Sequence, residues 1–552
     1  MKLEIVLLAV SHVLTWPDYL VIALYLLVTI AIGTKIGMRI KTGKDFLLAG
    51  RQLPWWAIGM SLVATDIGGT DIIGVGGAAY SHGLAVANFE WIGCVPAMIV
   101  GAFVFIPFFY RAGVYTISEF LERRYNYGVR AITATCWLLF MACNLGIMLF
   151  ASAKMMSAVF GWNETLCIIA TAGLVGAYTM VGGLAAVVYT DVIQCIVMIG
   201  GCLMILVMGL IEVGGIGGLQ QRLAEVHKRK SMVEANLADI VPLDDQDQAF
   251  RTSLILPVDT QTPFPWPGIY FGLALILSPA YWIGNQAIVQ RSLGARSEFE
   301  AKAAYVWGAL LKNIIPLIVA VPGLIALAIL PELDDGDAAI PSLVGALLPA
   351  GLRGLFVAAF LAALMSSIDS YLNSASTIVS NDLIRRFINR NITEERLLTV
   401  GRITTIALVI WAVYFAFVLA GIKESSRIYA IFQTLMAFFQ GPIFAILLIG
   451  ILWRRATGSA AVVALLCGIT TSIVLFALNQ PAFIAVYSLQ PLFKIQEPFL
   501  YFSIWAFVVS AVVLITMSLF TKPEPDRKLQ FVYRAALRRG IGSEDSNRDT
   551  TS

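Results

Sequence analysis

Hydroxyl and carboxylate side chains recur along one otherwise apolar stretch of the chain, Ala358 to Thr377. On a helix with 100° per residue, one stripe would carry a set of small and polar residues: Ala363, Ser366, Ser367, Ser370, Asn373, Ser374 and Thr377. Asp369 would lie at the edge of this stripe. Small residues also form close-packing seams between membrane helices, but a seam does not explain a carboxylate. Because hard cations prefer oxygen ligands, the stripe predicts a surface that lines a sodium site.

A second stretch, Ser61 to Gly77, begins as an apolar run and is then interrupted by Gly68 and Gly69 between two acids, Asp66 and Asp71. A charge at bilayer depth costs about 2.5–3.5 kcal/mol even on the lenient insertion scale. Glycine is a poor helix former, and irregular backbone at that depth is tolerated where it lines a cavity. One interpretation is a kinked structural helix at a tight packing seam. We favour a discontinuous helix whose freed carbonyl groups hold a cation.

Other ionisable residues lie inside apolar sequence. Asp191 begins an apolar span, where it either caps a helix or faces Asp369 across a second cation site. Glu90 and Lys312 are surrounded by apolar residues, so each is expected to be paired or to contact a solute directly. Lys154 lies near the end of its span and either extends to the membrane surface or forms an ion pair.

The composition places these residues in a polytopic membrane protein. Of 552 residues, 59% are hydrophobic and 13% charged, and the mean hydropathy is +0.81. A net charge of +3 gives no support to nucleic-acid binding, and the three histidines and seven cysteines show no metal-ligand spacing. No set of catalytic residues is evident, so we expect no enzyme. The expected partners are a small-molecule solute, sodium ions and membrane lipid, with no obligate protein partner.

Spans of about 20 apolar residues predict thirteen membrane crossings. They lie near residues 18–36, 54–80, 84–110, 131–158, 164–181, 186–212, 267–289, 304–330, 354–383, 399–421, 428–452, 458–478 and 499–521. With the N-terminus outside and the C-terminus inside, the cytoplasmic segments hold 26 Lys and Arg residues and the external segments hold ten. The lysine and arginine bias therefore predicts that orientation, with a basic cytoplasmic tail from residue 522.

Internal symmetry is suggested by a second interruption, in the span at 267–289. Pro279 removes a backbone donor and Gly284 loosens the next turn, so this helix is also expected to break. Two broken spans five crossings apart are typical of an inverted repeat with its site at the interface. The predicted organisation is an N-terminal segment with one extra helix, a five-helix repeat, an extracellular loop, a second five-helix repeat, two additional helices and the tail: 1–53, 54–212, 213–266, 267–452, 453–521 and 522–552.

Four motifs carry a resemblance to the sodium/solute symporter family, and especially to its sodium/glucose cotransporter branch. They are Asp71-Ile-Ile-Gly followed by Gly83-Leu-Ala and Glu90-Trp91, the stretch Tyr178 to Asp191, the stretch Asn285 to Arg296, and the stretch Ala362 to Thr377. The likeness runs in consistent order from about residue 18 to 478. It implies an all-α, leucine-transporter-like 5+5 inverted repeat with one helix before it and two after.

The resemblance also implies two sodium sites. The first would use the carbonyl groups of Ala64, Ile67 and Ala363 with the hydroxyl groups of Ser366 and Ser367. The second, present in part of the family, would use Asp191, Ser366, Asp369 and Ser370. The family usually carries Ser or Thr at the position of Asp369, so this chain has an additional acid there.

The resemblance implies a solute pocket at Glu90, Lys312 and Tyr281. Asp71, Ser278 and Met436 stand where the sugar branch tends to carry amides, which leaves a polyol, a modified sugar or a cationic solute open. The predicted function is import of a small polar organic solute, a sugar or sugar-like compound, by sodium-coupled alternating access in the plasma (inner) membrane. Proton coupling through Asp369 and Asp191, an amino-acid or organic-acid symporter of the same fold, and a solute sensor are the alternatives.

Overall fold

A computed structural model describes most of the chain. The described residues are 14–38, 42–235, 251–260, 262–333, 335–421, 428–480, 483–484, 487, 492–493, 495 and 497–532. Within these ranges the secondary structure is helical, and the β pairing consists of two isolated bridges, Leu53 with Ala295 and Leu256 with Pro265.

Eighteen of the described helices are labelled in chain order. They are α1 Trp16–Gly37, α2 Trp55–Asp66, α3 Gly69–His82, α4 Leu84–Ala112, α5 Tyr127–Phe160, α6 Glu164–Gly176, α7 Gly183–Val213, α8 Gly215–Ala235, α9 Gly268–Gly284, α10 Gln286–Leu293, α11 Glu298–Lys312, α12 Ile315–Ile329, α13 Ala339–Leu347, α14 Leu352–Ile388, α15 Glu394–Gly421, α16 Ile428–Leu452, α17 Gly458–Leu478 and α18 Phe499–Phe520.

Ten of the described spans are long and apolar enough to cross a membrane, or up to twelve when each of two bent helix pairs counts as one span. The predicted crossing at 164–181 begins with α6, and the helical stretch that starts at Glu164 continues to Val213 with a kink at Gly183. At Gly183 the backbone takes a positive φ of 52°, which glycine adopts without steric cost, and the chain continues directly into α7. The polytopic all-α fold is confirmed, whereas the count of thirteen is not.

The first predicted interruption is present between α2 and α3, whose axes differ by 55°. The break occupies Ile67 and Gly68, which both have non-helical backbone angles. The Gly68 N–H donates to the Asp66 carbonyl (3.1 Å) and to Asp71 Oδ2 (2.9 Å) instead of to the Ala64 carbonyl four residues back. The α-helical ladder therefore ends at this point, as the glycines and flanking acids predicted.

The second interruption lies between α9 and α10, which are bent by 50°. It falls at Asn285, whose backbone is extended and whose side chain accepts the Ala287 N–H, directly after Gly284. Pro279 does not break the helix, because the preceding ten residues, 268–277, form a π-helical stretch that accommodates the missing donor. The break is thus present, but Gly284 and Asn285 mark it.

A turn at Asn313 and Ile314 separates α11 from α12 within the single span Glu298–Ile329. Helix α2 packs on α11, where a methyl group on Gly59 would lie 2.8 Å from the Ala304 carbonyl oxygen. Helix α3 packs on α12, where a methyl group on Gly323 would lie 2.1 Å from the Gly76 carbonyl oxygen. Each half of the first broken span therefore has its own close-packed partner helix.

Helix α14 forms the centre of the molecule. In its most apolar window 94% of residues are buried, and the predicted polar stripe with Asp369 is buried throughout. It packs on α7, where a methyl group on Gly201 would lie 2.3 Å from Ala359 Cβ. An interior position of this kind requires every polar group on α14 to find a partner in protein or in a bound ion.

The long loop predicted between 213 and 265 begins with α8, and residues 236–250 lie outside the described part. After the gap, the loop covers the start of α4: the Leu84 N–H donates to the Arg251 carbonyl (2.8 Å), and Asn88 Nδ2 to the Leu254 carbonyl (2.5 Å). The predicted amphipathic tail helix (529–537) lies largely outside the described residues, which end at 532.

Candidate cation and solute sites

The break in α2–α3 meets α14 at Ser367, one residue of the first predicted sodium set. Ser367 Oγ donates to the Thr65 carbonyl at 2.9 Å. A methyl group on Gly68 would lie 2.8 Å from the same hydroxyl, so backbone and side chain are in close contact. The Ala64 carbonyl is released from the helical ladder by the redirected Gly68 N–H, and the C-terminal end of α2 carries the negative end of its dipole.

The remaining residues of this set are Ile67, Ala363 and Ser366, and all three are buried. Ile67 is at the break, and the other two lie on the face of α14 that carries Ser367. The oxygens of this predicted set are carbonyl and hydroxyl groups, and no carboxylate belongs to it. Such a donor set suits a monovalent hard cation.

The second predicted set is joined by a residue that the sequence analysis did not assign. Arg291 on α10 is 1% exposed and lies 3.3 Å from Asp191 Oδ2, whose side chain is 0% exposed. Its guanidinium also donates to Ser61 Oγ (2.6 Å) and to Ser370 Oγ. Ser61 in turn donates to Asp191 Oδ2 at 2.5 Å. Asp191 therefore does more than cap a helix start, because it links α7 to α2 and α10.

Ser370 connects the two sets. Its hydroxyl lies 2.9 Å from Thr65 Oγ1 and donates to the Ser366 carbonyl. Asp369 is fully buried one residue away, and Tyr25 of α1 lies within electrostatic range of both Asp369 and Asp191. All four predicted members of the second set, Asp191, Ser366, Asp369 and Ser370, are thus buried along the α7–α14 contact.

The predicted solute residues surround a cavity of about 60 Å³ between the two broken spans. Its ionic centre is Lys312 at the end of α11, which is 0% exposed and forms ion pairs with both Asp66 and Glu90. The Lys312 ammonium also lies 5.7 Å from the centre of the Trp282 ring. The sequence predicted that Lys312 and Glu90 are each paired or in contact with a solute, and the structure pairs them with each other.

The rest of the lining combines aromatic walls with a few polar groups. The residues that line this central cavity are Asp66, Asp71, Val75, Phe89, Glu90, Cys94, Leu273, Leu277, Ser278, Tyr281, Trp282, Tyr429, Phe432, Gln433, Met436 and Gln440. Five of the six predicted solute residues are among them. The sixth, Lys312, forms ion pairs with two of the lining residues, Asp66 and Glu90. The Tyr281 hydroxyl lies 3.3 Å from the Tyr371 hydroxyl, which connects the lining of the solute cavity to α14.

A second cavity of about 160 Å³ lies beyond Tyr429, which lines both spaces. The ring of Phe89 is 5.4 Å from that of Tyr429 and 5.8 Å from that of Phe264, and these rings form a partition between the two cavities. Asp335, Asp337 and Glu497 line the second cavity with His82. Lys154 forms an ion pair with Asp335 (3.2 Å), so its role as a pairing residue is the one observed.

Asp337 lies in the loop before α13, outside the membrane-spanning segments. Burial raises the pKa of its carboxyl from 3.8 to about 7, although the Ile428 N–H donates to it at 3.2 Å. This carboxyl therefore changes charge near neutral pH and does so at the start of α16.

Three site residues were not assigned from the sequence. Asp66 was recognised as a buried acid but not as the partner of Lys312, Gln433 was overlooked, and Arg291 was counted as a loop cation. The signal for Arg291 was weak, because its partner Asp191 is 100 positions away. Gln433 is a buried amide in an apolar span, a feature that marks functional positions in membrane helices and could have identified it.

Comparisons with known proteins agree with this geometry. The profile described as "SSF: Sodium:solute symporter family" matches residues 46–468. A sodium/glucose cotransporter 4 from Mus musculus is 31% identical over 93% of this chain and 76% of its own length. The sodium/glucose cotransporter of Vibrio parahaemolyticus is 32% identical over 83% of this chain and 85% of its own. A sodium/myo-inositol cotransporter 2 from Oryctolagus cuniculus is 32% identical over 92% and 77%.

Solved structures show the same fold. A Na⁺-coupled sialic acid symporter in a substrate-bound, outward-open state matches with a TM-score of 0.73 at 22% identity, over 92% of this chain and 99% of its own. A nucleobase-cation-symport-1 family transporter in a closed conformation matches with a TM-score of 0.51 at 12% identity, over 88% and 97%. Both are leucine-transporter-like folds.

A multi-pass membrane protein is the expected form of such a chain, and the plasma membrane is the typical location of these transporters. The predicted class, sodium-coupled solute symport, is confirmed by the family match and the relatives. Because the family model matches residues 46–468, most of its length, the chain belongs to the sodium:solute symporter family.

Proposed function

We propose that this protein imports a small sugar-like polar solute together with sodium by alternating access. The observation that carries the proposal is the contact between the break of α2–α3 and α14, where the Ser367 hydroxyl donates to the Thr65 carbonyl next to a polar, aromatic-walled cavity. Sodium bound there would hold α2 against α14 and so complete one wall of the solute cavity. Solute and ion affinity would then be coupled through the same helix contact.

For the first sodium ion, we propose ligands from the carbonyls of Ala64, Ile67 and Ala363 and the hydroxyls of Ser366 and Ser367. The support is that two of these groups belong to a helix end without ladder partners and the others face it from α14. Neutral ligands of this kind bind sodium reversibly, as a transport cycle requires.

For the second sodium ion, we propose the set Asp191, Ser366, Asp369 and Ser370. Asp191 and Asp369 are both buried, and Asp191 lies 3.3 Å from the Arg291 guanidinium. Carboxylate and hydroxyl oxygens are ligands that hard cations prefer.

We also propose the arrangement of the chain in the membrane. It has thirteen crossings, of which α6 begins the fifth, with the N-terminus outside and the C-terminus inside. The two five-helix repeats would occupy 54–212 and 267–452, with the extra segments divided as the sequence predicts. The support is the pair of bends, 55° and 50°, in spans five crossings apart.

A sugar-like solute suits the central cavity because its hydroxyl groups need charged and amide partners, and its ring faces need aromatic walls. The Asp66–Lys312–Glu90 group and Gln433 supply the polar partners, and Trp282 supplies an aromatic wall. The sodium/glucose and sodium/myo-inositol cotransporters among the relatives support this class. We propose the partition of Phe89 and Tyr429 as the barrier that solute passes on entry.

The driving force is sufficient for accumulation. Each inward charge is worth about 2.3 kcal/mol per 100 mV of membrane potential. A tenfold accumulation of a neutral solute requires about 1.4 kcal/mol. One sodium ion per solute therefore supports concentrative uptake.

The test is uptake of labelled glucose or myo-inositol into proteoliposomes with and without an inward sodium gradient. Ser367→Ala should abolish sodium-stimulated uptake, because it removes a proposed ligand. The matched control is Ser376→Ala, since Ser376 is a buried serine on the same helix whose hydroxyl donates to the Gly401 carbonyl (2.7 Å). Unchanged sodium dependence in Ser367→Ala rejects the site.

Two further measurements separate the alternatives. Uptake driven by a pH gradient in sodium-free buffer would assign the coupling to protons at Asp369 and Asp191. Absence of counterflow, together with sodium-dependent solute binding, would indicate a sensor.

A further inference from the structure

The central cavity contains more negative than positive groups. Asp66, Asp71 and Glu90 supply three carboxylates among its described lining residues, and the Lys312 ammonium forms ion pairs with two of them, Asp66 and Glu90. Lys312 lies between Asp66 and Glu90. Asp71 forms no ion pair within the described part of the chain, and its carboxylate accepts the Gly68 N–H at 2.9 Å.

The role of residue 71 as a helix cap does not explain why it is a charged aspartate. Its carboxylate lies in the first turn of α3, where the positive end of the helix dipole favours an anion. That preference is smaller than the cost of a charge at bilayer depth. An asparagine would accept the same Gly68 N–H without the charge. A cationic group on the solute would offset the cost of keeping this carboxylate charged.

Sodium does not supply that partner in the proposed sites. The first site uses carbonyls of α2 and hydroxyls of α14, and the second lies around Asp191 and Arg291. Neither set includes Asp71, which faces the solute cavity.

Acidic side chains also line the second cavity. Asp335, Asp337 and Glu497 line it, and Lys154 is the lysine paired there. Tyr429 separates this space from the central cavity, so a solute that crosses the partition passes from one acid-rich space to another. Clefts lined by one sign of charge raise the local concentration of the opposite ion.

Resting on the proposed function, we propose that the transported solute carries a protonated amine whose partner is Asp71. The chemical class is an amino sugar or an aminated polyol. Its hydroxyl groups would contact the Asp66–Lys312–Glu90 group and Gln433, and its ammonium would lie between Asp71 and the ring of Tyr429 or Phe432, where aromatic faces also favour a cation.

The test compares sodium-driven uptake of glucosamine, glucose, myo-inositol and N-acetylglucosamine at about pH 6.5, where a primary amine is protonated. The wild-type protein should prefer glucosamine over its neutral relatives, including the acetylated compound of similar shape. Each glucosamine should also carry one more positive charge than each glucose, which a charge-to-solute measurement detects directly.

Asp71→Asn keeps an acceptor for the Gly68 N–H and removes the charge. The glucosamine-to-glucose ratio of kcat/KM should fall by about 10- to 100-fold, the range expected for losing a hydrogen bond to a charged partner. Asp45→Asn is the control, because Asp45 also accepts a backbone N–H at a helix start, that of Thr42, but away from the cavity.

Sodium-driven uptake in which the wild type prefers glucose or myo-inositol overturns the amine assignment and leaves the proposed function intact. An unchanged ratio in Asp71→Asn also overturns it. If uptake of all four compounds is independent of sodium, the proposed function itself is overturned. If Asp71→Asn does not fold, sodium-dependent thermal shifts of the wild type by glucosamine but not by N-acetylglucosamine decide the question.

Discussion

Gly68→Ala is the sharpest perturbation of the proposed sodium site. Gly68 has φ −84° and ψ 177°, which alanine adopts without strain, so the substitution adds one methyl group and no backbone penalty. That methyl carbon would lie 2.8 Å from Ser367 Oγ and 3.3 Å from Ser367 Cβ. Either the serine rotates away from the Thr65 carbonyl or the break moves away from α14.

Both responses weaken sodium binding, because both displace a proposed ligand. Inserting a methyl group into a well-packed contact costs about 1–3 kcal/mol. If that cost is confined to the conformation in which α2 and α14 are in contact, it corresponds to a sodium affinity about 5- to 150-fold lower. Maximal uptake at saturating sodium should change much less than the sodium concentration for half-maximal uptake.

The assay is sodium-dependent solute uptake in proteoliposomes, with the sodium-induced thermal shift in detergent as an independent reading of binding. Gly200→Ala is the matched control, since Gly200 is a helical glycine with no neighbour within 4 Å of the added carbon. A half-maximal sodium concentration that is the same in Gly68→Ala, Gly200→Ala and wild type would refute the proposed contact between the break and Ser367.

Three further outcomes are expected. Arg291→Gln removes the partner of the buried Asp191 carboxylate and should lower the free energy of unfolding by about 3–5 kcal/mol. In thermal unfolding, the double variant with Asp191→Asn should recover part of the lost stability. An unfolding midpoint of Arg291→Gln equal to that of the wild type would contradict the ion pair. The raised pKa of Asp337, about 7 against 3.8, means that the folded state binds a proton between about pH 4 and pH 7 that the unfolded chain has lost, so this group makes the protein less stable as pH rises through that window. Asp337→Asn should flatten that part of the stability–pH curve, and an identical slope in the variant would count against the buried carboxyl. Lys312→Met leaves the Asp66 and Glu90 carboxylates without their shared cation, and it should abolish uptake and lower thermal stability. Adding Glu90→Gln should restore part of that stability. Full activity of Lys312→Met would exclude the Asp66–Lys312–Glu90 group from the solute site.

Periodicity and local chemistry predicted much of the site. The stripe on α14 follows from 3.6-residue spacing, and the break at Gly68 follows from glycines beside acids in an apolar run. Both signals are contained in fewer than 20 consecutive residues, so no knowledge of the fold was needed.

Long-range pairing was harder to predict. Arg291 counts as a loop cation when lysines and arginines are tallied along the chain, yet its long side chain reaches back between three helices. Asp66 and Lys312 are 246 positions apart, and the sequence showed only that each needed a partner. Local geometry also changed two details: a π-helical stretch accommodates Pro279, and a left-handed Gly183 joins α6 to α7 without a loop.

The break at Ile67–Gly68 lies beside the turn at Asn313–Ile314 in the partner span. Since α2 packs on α11 and α3 on α12, the four helices form two helix pairs that meet where these irregular segments lie. Asp66 and Lys312 stand at the adjoining ends of α2 and α11, so their ion pair fastens the first helix pair at its boundary with the second.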